Sequence, residues 1–468
     1  MYRKHRKHHI HFVGIGGIGM SGIASVLLEL GYEVSGSDIR HSSVIRRLVA
    51  SGARVTIGHR PENIDGCDVV VTSSAVSSDN PEVKEAWRRQ IPVIPRAQML
   101  AELMRLKRFG IAVSGTHGKT STTSMIGAVL QHAGLDPTLI IGGQVKSMGT
   151  NAKWGQGEFL VAEADESDGS FLYLTPSIAV VTNIEEEHLD YYRDIHQIKE
   201  AFTQFLRGVP FYGAAILCGD DQDLMECSAS VRRRTITYGI SEANDVRAVG
   251  ISFEGYRASF EVWNGTKRLG DLSLKVPGLH HVRNSLAAIA VGLELELPFQ
   301  AIKEGLESYR GVGRRFEVLL DREDLTIVDD YAHHPTEIQA TLKAARACFP
   351  RRRLVVLFEP HRYSRTLALM DDFALAFDEA DRLYITDIYP ASEEPIVGIS
   401  GERLANRIRA HWQGELNFVG APENLPQRVL KDLRYGDVVL TLGAGKIGRI
   451  VRELVARVSE QDVASGIG

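Results

Sequence analysis

The segment SGTHGKT at residues 114–120 constrains the fold more than any other part of the sequence. It follows the apolar run FGIAV and precedes a stretch with the apolar spacing of a helix, whose end Gly134 marks. A glycine-rich turn between a strand and a helix lets backbone N–H groups and the helix dipole hold a phosphate group. The sequence therefore predicts a nucleotide-binding unit of the α/β class around this turn.

The order of residues in this turn indicates what each can do. Lys119 is placed to neutralise the β and γ phosphates of a nucleotide, and Thr120 to offer its hydroxyl to Mg²⁺. Val113 stands five positions before Gly118, where the full phosphate-binding loop has glycine, so this loop is a shortened variant. The alternative is an ordinary strand-to-helix turn that carries a surface lysine.

Acidic residues follow a second predicted strand, FLVAEAD. They are Glu163, Asp165, Glu166 and Asp168. Ligands bind at the carboxyl ends of strands in open α/β sheets, and Mg²⁺ prefers hard oxygen ligands. A solvated acidic turn would have the same composition. His188 follows a neighbouring strand, SIAVVTN, and either approaches the same site or has a structural role.

The N-terminal part contains a second phosphate-binding pattern, Gly14-x-Gly16-x-x-Gly19, with Asp38 nineteen residues further on. In spacing and context it fits the dinucleotide fingerprint, and by itself it predicts an NAD-dependent dehydrogenase. The fingerprint shows only that a pyrophosphate can bind at a helix N-terminus, and a UDP-sugar also carries a pyrophosphate. Both interpretations stay open at this point.

Two polar segments of the C-terminal part, DDYAHHPTE and EPHRYSRT, each come directly after an apolar strand. Arg362 and Arg365 can grip a carboxylate or phosphate bidentately, or can be surface residues at the start of a basic helix. The adjacent His333 and His334 suggest zinc, but adjacent side chains point in different directions and no third ligand follows nearby. We therefore favour an anion-binding cleft.

A chain of 468 residues is too long for one hydrophobic core, because single cores stop growing at roughly 250 to 300 residues. The strand and helix pattern restarts near residue 108 and again after YRGVGRRFE, a stretch that suits a linker. We expect the first helix to begin near Ser21 and antiparallel hairpins over residues 246–276. The predicted fold is α/β with three domains: Rossmann-like at 1–107, a central P-loop ATPase-type mixed sheet at 108–311, and Rossmann-like at 312–468.

Composition argues against several classes of protein. A net charge of −5 gives no basic field for nucleic acid, and no apolar run reaches the roughly 18 residues of a membrane span. Four scattered cysteines show no metal-ligand spacing and suggest buried thiols in a reducing compartment. The basic start, MYRKHRKHHIH, is interpreted as a solvated tail, since no apolar signal-peptide region follows it.

Eight segments, in order and close to the usual spacing, resemble those of the Mur ligase family. They are HFVGIGGIGMSGIA, SGTHGKTSTT, VAEADESDGSF, TNIEEEHLD, HHVRNSLAA, GVGRRFE, DDYAHHPTE and EPHRYSRT. The resemblance covers nearly the whole chain and implies successive domains for a UDP-sugar, ATP and an amino acid. It further implies a cytoplasmic enzyme of peptidoglycan precursor synthesis that uses ATP and Mg²⁺. Its implied reaction joins L-alanine to the lactyl carboxylate of UDP-N-acetylmuramate through an acyl phosphate.

The resemblance also implies a set of site residues. For ATP these are Gly115, Thr116, His117, Gly118, Lys119, Thr120, Ser121, Asn284 and Arg315. For the UDP-sugar they are Gly14, Gly16, Gly17, Gly19, Asp38 and Ser74. For the amino acid they are Tyr331, His361, Arg362 and Arg365. The implied metal ligands are Thr120 and Glu163 for one Mg²⁺ and His188 for a second, and the implied catalytic residues are Lys119, His188, Arg315 and His333.

Within this set, Lys119 is expected at the γ phosphate and Asn284 at the adenine. Arg315 is expected to face the phosphates, although the neighbouring Arg314 leaves that register open by one residue. Ser121 stands where threonine is common in the family, and Lys446 occupies a variable position. Neither departure affects the expected chemistry.

Other functions stay open as alternatives. The nearest is the ligase of the same family that attaches a murein tripeptide to UDP-N-acetylmuramate, whose counterparts of GIGGIGMSG and EADESD differ. A dehydrogenase would leave the Lys119 loop without a purpose, and a non-catalytic sensor of UDP-sugar and ATP would lack some chemical residue. We expect small-molecule substrates, no nucleic-acid partner, no membrane insertion, and a monomer or dimer.

Overall fold

The computed structural model describes residues 8–146, 149–189, 191–391 and 393–465. The chain forms two compact units. The first consists of Met1–Val249, Val262–Gly270 and Arg283–Tyr309, and the second of Gly250–Glu261, Asp271–Val282 and Arg310–Gly468. Three β-sheets with connecting helices form the fold, as expected for the α/β class. The domain boundaries at 107 and 311 stay predictions.

The N-terminal sheet has five parallel strands in the order β3-β2-β1-β4-β5. Its strands are β1 (His9–Val13), β2 (Glu33–Asp38), β3 (Arg54–Ile57), β4 (Val69–Thr72) and β5 (Val93–Pro95). The helices are α1 (Ile18–Glu29), α2 (Ser43–Ala50), α3 (Pro81–Arg88) and α4 (Arg96–Met104). Because all five strands run in the same direction, their carboxyl ends lie along one edge.

Two sequence predictions are wrong in this region. Helix α1 begins at Ile18, one turn before Ser21, because Gly17 is its N-cap and no capping side chain signals the start. Residues 1–7 of the basic start lie outside the described residues, but His9 and His11 do not belong to a solvated tail. Both are buried in β1. One ring nitrogen of each contacts the Ser35 hydroxyl, His9 Nε2 at 2.6 Å and His11 Nδ1 at 2.8 Å.

The central sheet has ten strands in the order β15-β14-β13-β12-β11-β10-β6-β9-β7-β8. They are β6 (Phe109–Ser114), β7 (Thr138–Val145), β8 (Thr150–Lys153), β9 (Phe159–Glu163), β10 (Ile178–Val181), β11 (Ala214–Cys218), β12 (Thr235–Gly239), β13 (Val246–Glu254), β14 (Arg257–Asn264) and β15 (Lys267–Leu274). The helices are α5 (Lys119–His132), α6 (Ile195–Arg207), α7 (Gln222–Ala229), α8 (Leu279–Glu294) and α9 (Phe299–Ser308). Strand β6 runs parallel to both its neighbours, β10 and β9.

The hairpins expected over residues 246–276 are present as β13, β14 and β15. These strands are neighbours in the sheet and are joined by two-residue connections, which only antiparallel pairs allow. Gly255 and Gly265 lie in these turns with positive φ, as tight hairpin turns require.

The C-terminal sheet has six strands in the order β16-β17-β21-β18-β19-β20, with only β16 antiparallel to its neighbour. They are β16 (Glu317–Asp321), β17 (Leu325–Asp330), β18 (Leu354–Phe358), β19 (Arg382–Thr386), β20 (Glu415–Gly420) and β21 (Asp437–Leu442). The helices are α10 (Pro335–Cys348), α11 (Tyr363–Ala368), α12 (Met370–Ala374), α13 (Gly401–Arg409), α14 (Leu425–Asp432) and α15 (Ile447–Ser465).

This C-terminal sheet is buried on both faces. Val328 and Val356 belong to one apolar cluster that includes residues of α10, α12 and α13. Ile327 and Leu357, one residue away on the same strands, belong to a second cluster that includes residues of α14 and α15. Because successive side chains of a strand point to opposite faces, this alternation explains why the strands read as continuous apolar runs.

The cysteines are free thiols, as the sequence analysis expected. Cys67, Cys218 and Cys227 are buried as predicted, whereas Cys348 is only half-buried. Burial raises the pKa of Cys67 and of Cys218 to about 11, so both stay protonated at neutral pH. None of the helices in the described residues is long and apolar enough to cross a membrane.

A buried carboxylate, Glu82 of α3, ties this helix to the N-terminal sheet. Its Oε2 accepts a hydrogen bond from the Ser37 hydroxyl at 2.6 Å, and its Oε1 accepts one from the Asn63 amide. Burial by itself would raise the pKa of Glu82, but contacts with His11, Ser37 and Asn63 outweigh burial and lower it to about 2. Glu82 is therefore charged at neutral pH and contributes to stability.

We predict that Glu82→Gln lowers the free energy of unfolding at pH 7 by on the order of 3 kcal/mol. A carboxylate with a lowered folded-state pKa stabilises the fold above its ordinary value of 4.5 and loses this effect as the pH falls towards 2. Urea titrations should show the difference from wild type shrinking over that range. The exposed Glu62→Gln is the control, and a difference independent of pH would contradict the prediction.

Candidate active site

Three loops meet at the carboxyl edge of the central sheet. They follow β6, β9 and β10, and β6 lies between the other two strands. The loops carry the glycine-rich segment, the acidic segment and the segment with His188, respectively. The strand order therefore brings together three motifs that are separated by up to about 70 residues in sequence.

The glycine-rich loop leads directly into α5, which begins at Lys119. Gly115 and Gly118 have φ values of 127° and 82°, in the region that favours glycine. A Cβ on Gly115 would lie 2.1 Å from Thr182 Oγ1, and one on Gly118 would lie 2.7 Å from Asn284 Oδ1. Both glycines are therefore required by backbone conformation and by close neighbours.

Hydrogen bonds from the loop after β10 fix the shape of the glycine-rich loop. The His117 amide donates to Asn183 Oδ1 at 2.8 Å, and the Thr116 hydroxyl accepts from the Glu185 amide at 2.8 Å. Ser121 is buried in the first turn of α5. The loop is thus held by protein contacts on the side of β10.

Lys119 is a largely buried ammonium group with three oxygen partners. Its Nζ donates to the carbonyl oxygens of Gly115 at 2.6 Å and Thr116 at 3.1 Å, and to Glu166 Oε1 at 2.7 Å. Burial would lower the pKa of Lys119, but the carboxylates of Glu166, Asp165 and Glu163 outweigh burial and raise it. Lys119 is therefore positively charged at the start of the helix.

Thr120 and Glu163 offer hard oxygen atoms next to each other. The Thr120 hydroxyl donates to Glu163 Oε2 at 2.9 Å, and the Gly142 amide donates to the same oxygen at 2.8 Å. Among the described residues, Glu166 Oε2 is buried without a hydrogen-bond partner. Hydroxyl and carboxylate oxygens of this kind fit Mg²⁺, so the residues suit the ion that the sequence predicts.

His188 lies beside Glu166. Its Nε2 is 3.6 Å from Glu166 Oε1 and 3.7 Å from Glu187 Oε2, and its φ is +58°. Burial would lower the pKa of His188, but the contacts with Glu166 and Glu187 outweigh burial and raise it. A non-glycine residue held at positive φ is characteristic of functional sites.

Asn284 packs on the glycine-rich loop and is 7% exposed. Its amide oxygen is the atom that excludes a side chain at Gly118. This contact places Asn284 beside the loop, and its role at the adenine stays a prediction.

The N-terminal glycine turn lies at the carboxyl edge of its own sheet. Gly14 has a φ of 79°, and the Gly16 amide donates to Asp38 Oδ2 at 2.9 Å. Gly17 caps α1, and Ser74 is exposed in the turn after β4. The residues predicted to bind the UDP-sugar are thus gathered along one edge, as a site for a pyrophosphate at the α1 N-terminus requires.

The sequence analysis missed Arg96 at this turn. A Cβ on Gly19 would lie 2.9 Å from Arg96 Nη1, so the guanidinium covers the third glycine of the pattern. Arg96 Nη2 also donates to Asp165 Oδ2 at 3.0 Å. The signal that could have indicated Arg96 is its position directly after β5, at the carboxyl end of a parallel strand.

In the second compact unit, aromatic and imidazole rings form a continuous cluster. Tyr331 contacts His333 with ring centroids 5.4 Å apart, and His333 contacts His361 at 5.6 Å. His361 stacks on Tyr389 at 5.5 Å. His334 has a different role, because its ring accepts a hydrogen bond from the Thr336 amide at the start of α10. A zinc site built on adjacent histidines is therefore not supported.

Arg362 follows His361 in the chain, and Arg365 contacts the His361 ring. Arg365 Nη1 lies 3.0 Å from His361 Nδ1, and Arg362 Nη1 lies 3.9 Å from Glu393 Oε1. Arg362 has a φ of +70° and its amide donates to the Tyr389 carbonyl. The second unit thus brings together all four residues predicted for the amino acid.

Arg314 and Arg315 have different partners in the structure. Arg314 donates to Asp329 Oδ2 at 3.2 Å and to the Gly443 carbonyl at 2.6 Å, which fixes it at the ends of β17 and β21. Arg315 Nη1 lies 3.5 Å from Glu337 Oε1. Arg314 is thus held by protein partners, and the role of Arg315 at a ligand stays a prediction.

Comparison with protein families matches three successive models to the chain. They are the Mur ligase family catalytic domain at residues 9–108, the Mur ligase middle domain at 113–292, and the Mur ligase glutamate ligase domain at 314–445. Together these models cover most of the sequence.

Among curated proteins, the UDP-N-acetylmuramate--L-alanine ligase of Geobacter sulfurreducens is 55% identical over 439 residues, 94% of this chain and 95% of that protein. The enzyme of the same name from Trichlorobacter lovleyi is 55% identical over 93% of this chain and 95% of its own length. Among solved structures, the UDP-N-acetylmuramate-alanine ligase of Thermotoga maritima aligns with a TM-score of 0.84 at 30% identity, covering 97% of this chain and 99% of that one. The chain therefore belongs to the Mur ligase family.

Proposed function

We propose that the chain is an ATP-dependent ligase that joins L-alanine to the lactyl carboxylate of UDP-N-acetylmuramate in peptidoglycan precursor synthesis. The observation that carries this proposal is the charge arrangement at α5, where buried Lys119 follows a phosphate-type loop and Thr120 meets Glu163. Relatives that share 53 to 55% of this sequence over most of its length are named UDP-N-acetylmuramate--L-alanine ligase.

The reaction has two steps. A carboxylate oxygen of the lactyl group attacks the γ phosphorus of ATP, the bond from this phosphorus to the bridging oxygen breaks, and ADP leaves. The neutral amine of alanine then attacks the acyl carbon, inorganic phosphate leaves and the amine gives up a proton. Negative charge develops on phosphate oxygens in the first step, and on the acyl oxygen and the leaving phosphate in the second. The protein therefore contributes mainly positioning and charge neutralisation.

Lys119 supplies the fixed positive charge for the first step. Its Nζ has two carbonyl partners and one carboxylate partner, and phosphate oxygens would replace the two carbonyl groups as acceptors. The N–H groups of the loop and of the first turn of α5 add further donors for the phosphates.

Thr120 and Glu163 would hold one Mg²⁺, and His188 a second, on the sequence assignment. When bound, the ions would neutralise the phosphate charge and favour the departure of ADP. Glu166 would keep Lys119 and His188 in place, since its Oε1 contacts both.

The rings and arginines of the second unit suit a small amino acid. Arg362 and Arg365 would bind the carboxylate of alanine by charge-assisted hydrogen bonds, which leaves its amine free to react. Tyr331, His333 and His361 provide the wall beside them. Arg315, which lies over the ring of Tyr331, would face the phosphates.

We propose that the reaction takes place in the bacterial cytoplasm, where ATP and UDP-sugars are available. We expect the protein to be a monomer or dimer. The murein peptide ligase of Psychrobacter arcticus shares the fold, with a TM-score of 0.70 at 24% identity. At this identity the similarity concerns the fold alone and does not indicate a shared substrate.

Phosphate release from the purified protein with ATP, Mg²⁺ and UDP-N-acetylmuramate should depend on L-alanine. Dependence on a tripeptide instead would contradict the proposal.

We predict that Lys119→Ala lowers the alanine-dependent rate of phosphate release by roughly 100- to 1,000-fold, because one preorganised charge at the reacting phosphate is lost. Steady-state phosphate release at saturating substrates measures the change. Lys267→Ala, an exposed lysine in the same sheet, should keep the wild-type rate. A Lys119→Ala protein with wild-type turnover would refute the role of the loop.

We predict that Arg365→Ala raises the KM for L-alanine by roughly 10- to 100-fold, since a hydrogen bond to a charged group contributes about 1.5 to 3 kcal/mol. The KM for ATP should stay within about two-fold of wild type. Arg409→Ala, on the exposed face of α13, is the matched control. Equal increases in the two KM values would contradict a role restricted to the amino acid.

A further inference from the structure

Arg96 connects the N-terminal glycine turn to the acidic loop of the central sheet. Its guanidinium covers Gly19 in the first turn of α1, where a side chain on that glycine would come within 2.9 Å of Nη1. The other terminal nitrogen donates to Asp165 Oδ2 at 3.0 Å. One side chain therefore contacts both loops within the first compact unit.

Asp165 is held on both of its carboxylate oxygens. Oδ2 accepts from Arg96, and Oδ1 accepts from the Ser167 amide at 3.2 Å. Its carbonyl oxygen accepts from the Phe171 amide, which closes the acidic loop. The next residue in the chain, Glu166, is the carboxylate that binds Lys119. A change in the position of Asp165 therefore also moves the loop that carries Glu163 and Glu166.

The guanidinium of Arg96 has donors left for a ligand. Arginine has five N–H donors in a planar fork, and the contact with Asp165 involves a single nitrogen. The side chain is 22% exposed, so it is accessible beside the turn. A diphosphate at the N-terminus of α1 would meet this charge in addition to the backbone amides.

We propose that Arg96 is a positioning residue that binds the diphosphate of the UDP-sugar and, through Asp165, couples occupancy of that site to the ATP site. This inference rests on the proposed function. Arg96 is shared between two anions, the diphosphate and Asp165. Binding of UDP to the N-terminal turn and of ADP to the Lys119 loop must therefore influence each other by the same factor in both directions.

The two partners of the ion pair should respond in opposite ways. Arg96→Ala removes donors to the diphosphate, so affinity for UDP should fall by roughly 10- to 100-fold. Asp165→Asn removes the competing anion, so affinity for UDP should rise by up to about five-fold, the range of a partly exposed ion pair. If the pair only held the two sheets together, both variants would weaken UDP binding.

Isothermal titration calorimetry with UDP, in the absence and presence of saturating Mg²⁺-ADP, tests the proposal on the full chain. Wild type should show a roughly two- to five-fold change in UDP affinity between the two conditions, because the ion pair that transmits the coupling contributes no more than this. Both variants should reduce this ratio towards one. Arg96→Lys, which keeps the charge but not the fork, should recover part of the UDP affinity.

Arg105→Ala is the matched control, because Arg105 follows α4 directly and forms a comparable contact with Glu102 on the surface. It should leave UDP affinity and the ratio unchanged. Wild-type UDP affinity in Arg96→Ala, weaker binding in Asp165→Asn, or a wild-type ratio of one would overturn the role of Arg96 and leave the proposed function intact. A wild-type protein that binds no UDP would overturn both.

Discussion

The buried contact between Lys119 and Glu166 is the interaction on which the arrangement of the central loops depends. An ammonium group without a partner could not stay charged in this place, because burial would favour its neutral form. Glu166 is 2% exposed, and its backbone carbonyl accepts a hydrogen bond from the Tyr192 hydroxyl. The ammonium and the carboxylate stabilise each other electrostatically, and their contact binds α5 to the acidic loop.

Parallel strand order explains why so few residues suffice to build this site. The strands β9 and β10 flank β6, so the loops after all three open at one edge. The glycine-rich loop is then shaped from both sides, by Thr182 and Asn183 after β10 and by Asn284 of α8. A phosphate-binding loop of shortened form can remain rigid because neighbouring loops supply the contacts that its own sequence lacks.

The sequence predicted β6, β9 and β10 and the loops that follow them, because buried parallel strands are continuous apolar runs, but it missed β12, an inner strand of the same sheet. It did not predict β3, β8, β16 or β20. These four are edge strands, and their polar residues interrupt the apolar run by which a buried strand is recognised. It also missed β7, whose adjacent Gly142 and Gly143 suggest a turn. The structure explains the glycine at position 142, because its amide donates a hydrogen bond to Glu163 Oε2.

Candidate site residues were predictable where they belong to a local motif and unpredictable where a long-range contact decides their role. The motif GVGRRF could not distinguish Arg314 from Arg315, because the difference lies in Asp329 and in the Gly443 carbonyl, 129 residues away in sequence. Arg96 presents the same difficulty, since its partner Asp165 is 69 residues away. An arginine at the end of a strand indicates an anion, but only the fold shows whether that anion is a protein carboxylate, a ligand, or both in turn. On our proposal Arg96 binds both in turn, and it is therefore the position at which substrate binding is transmitted from the N-terminal turn to the acidic loop.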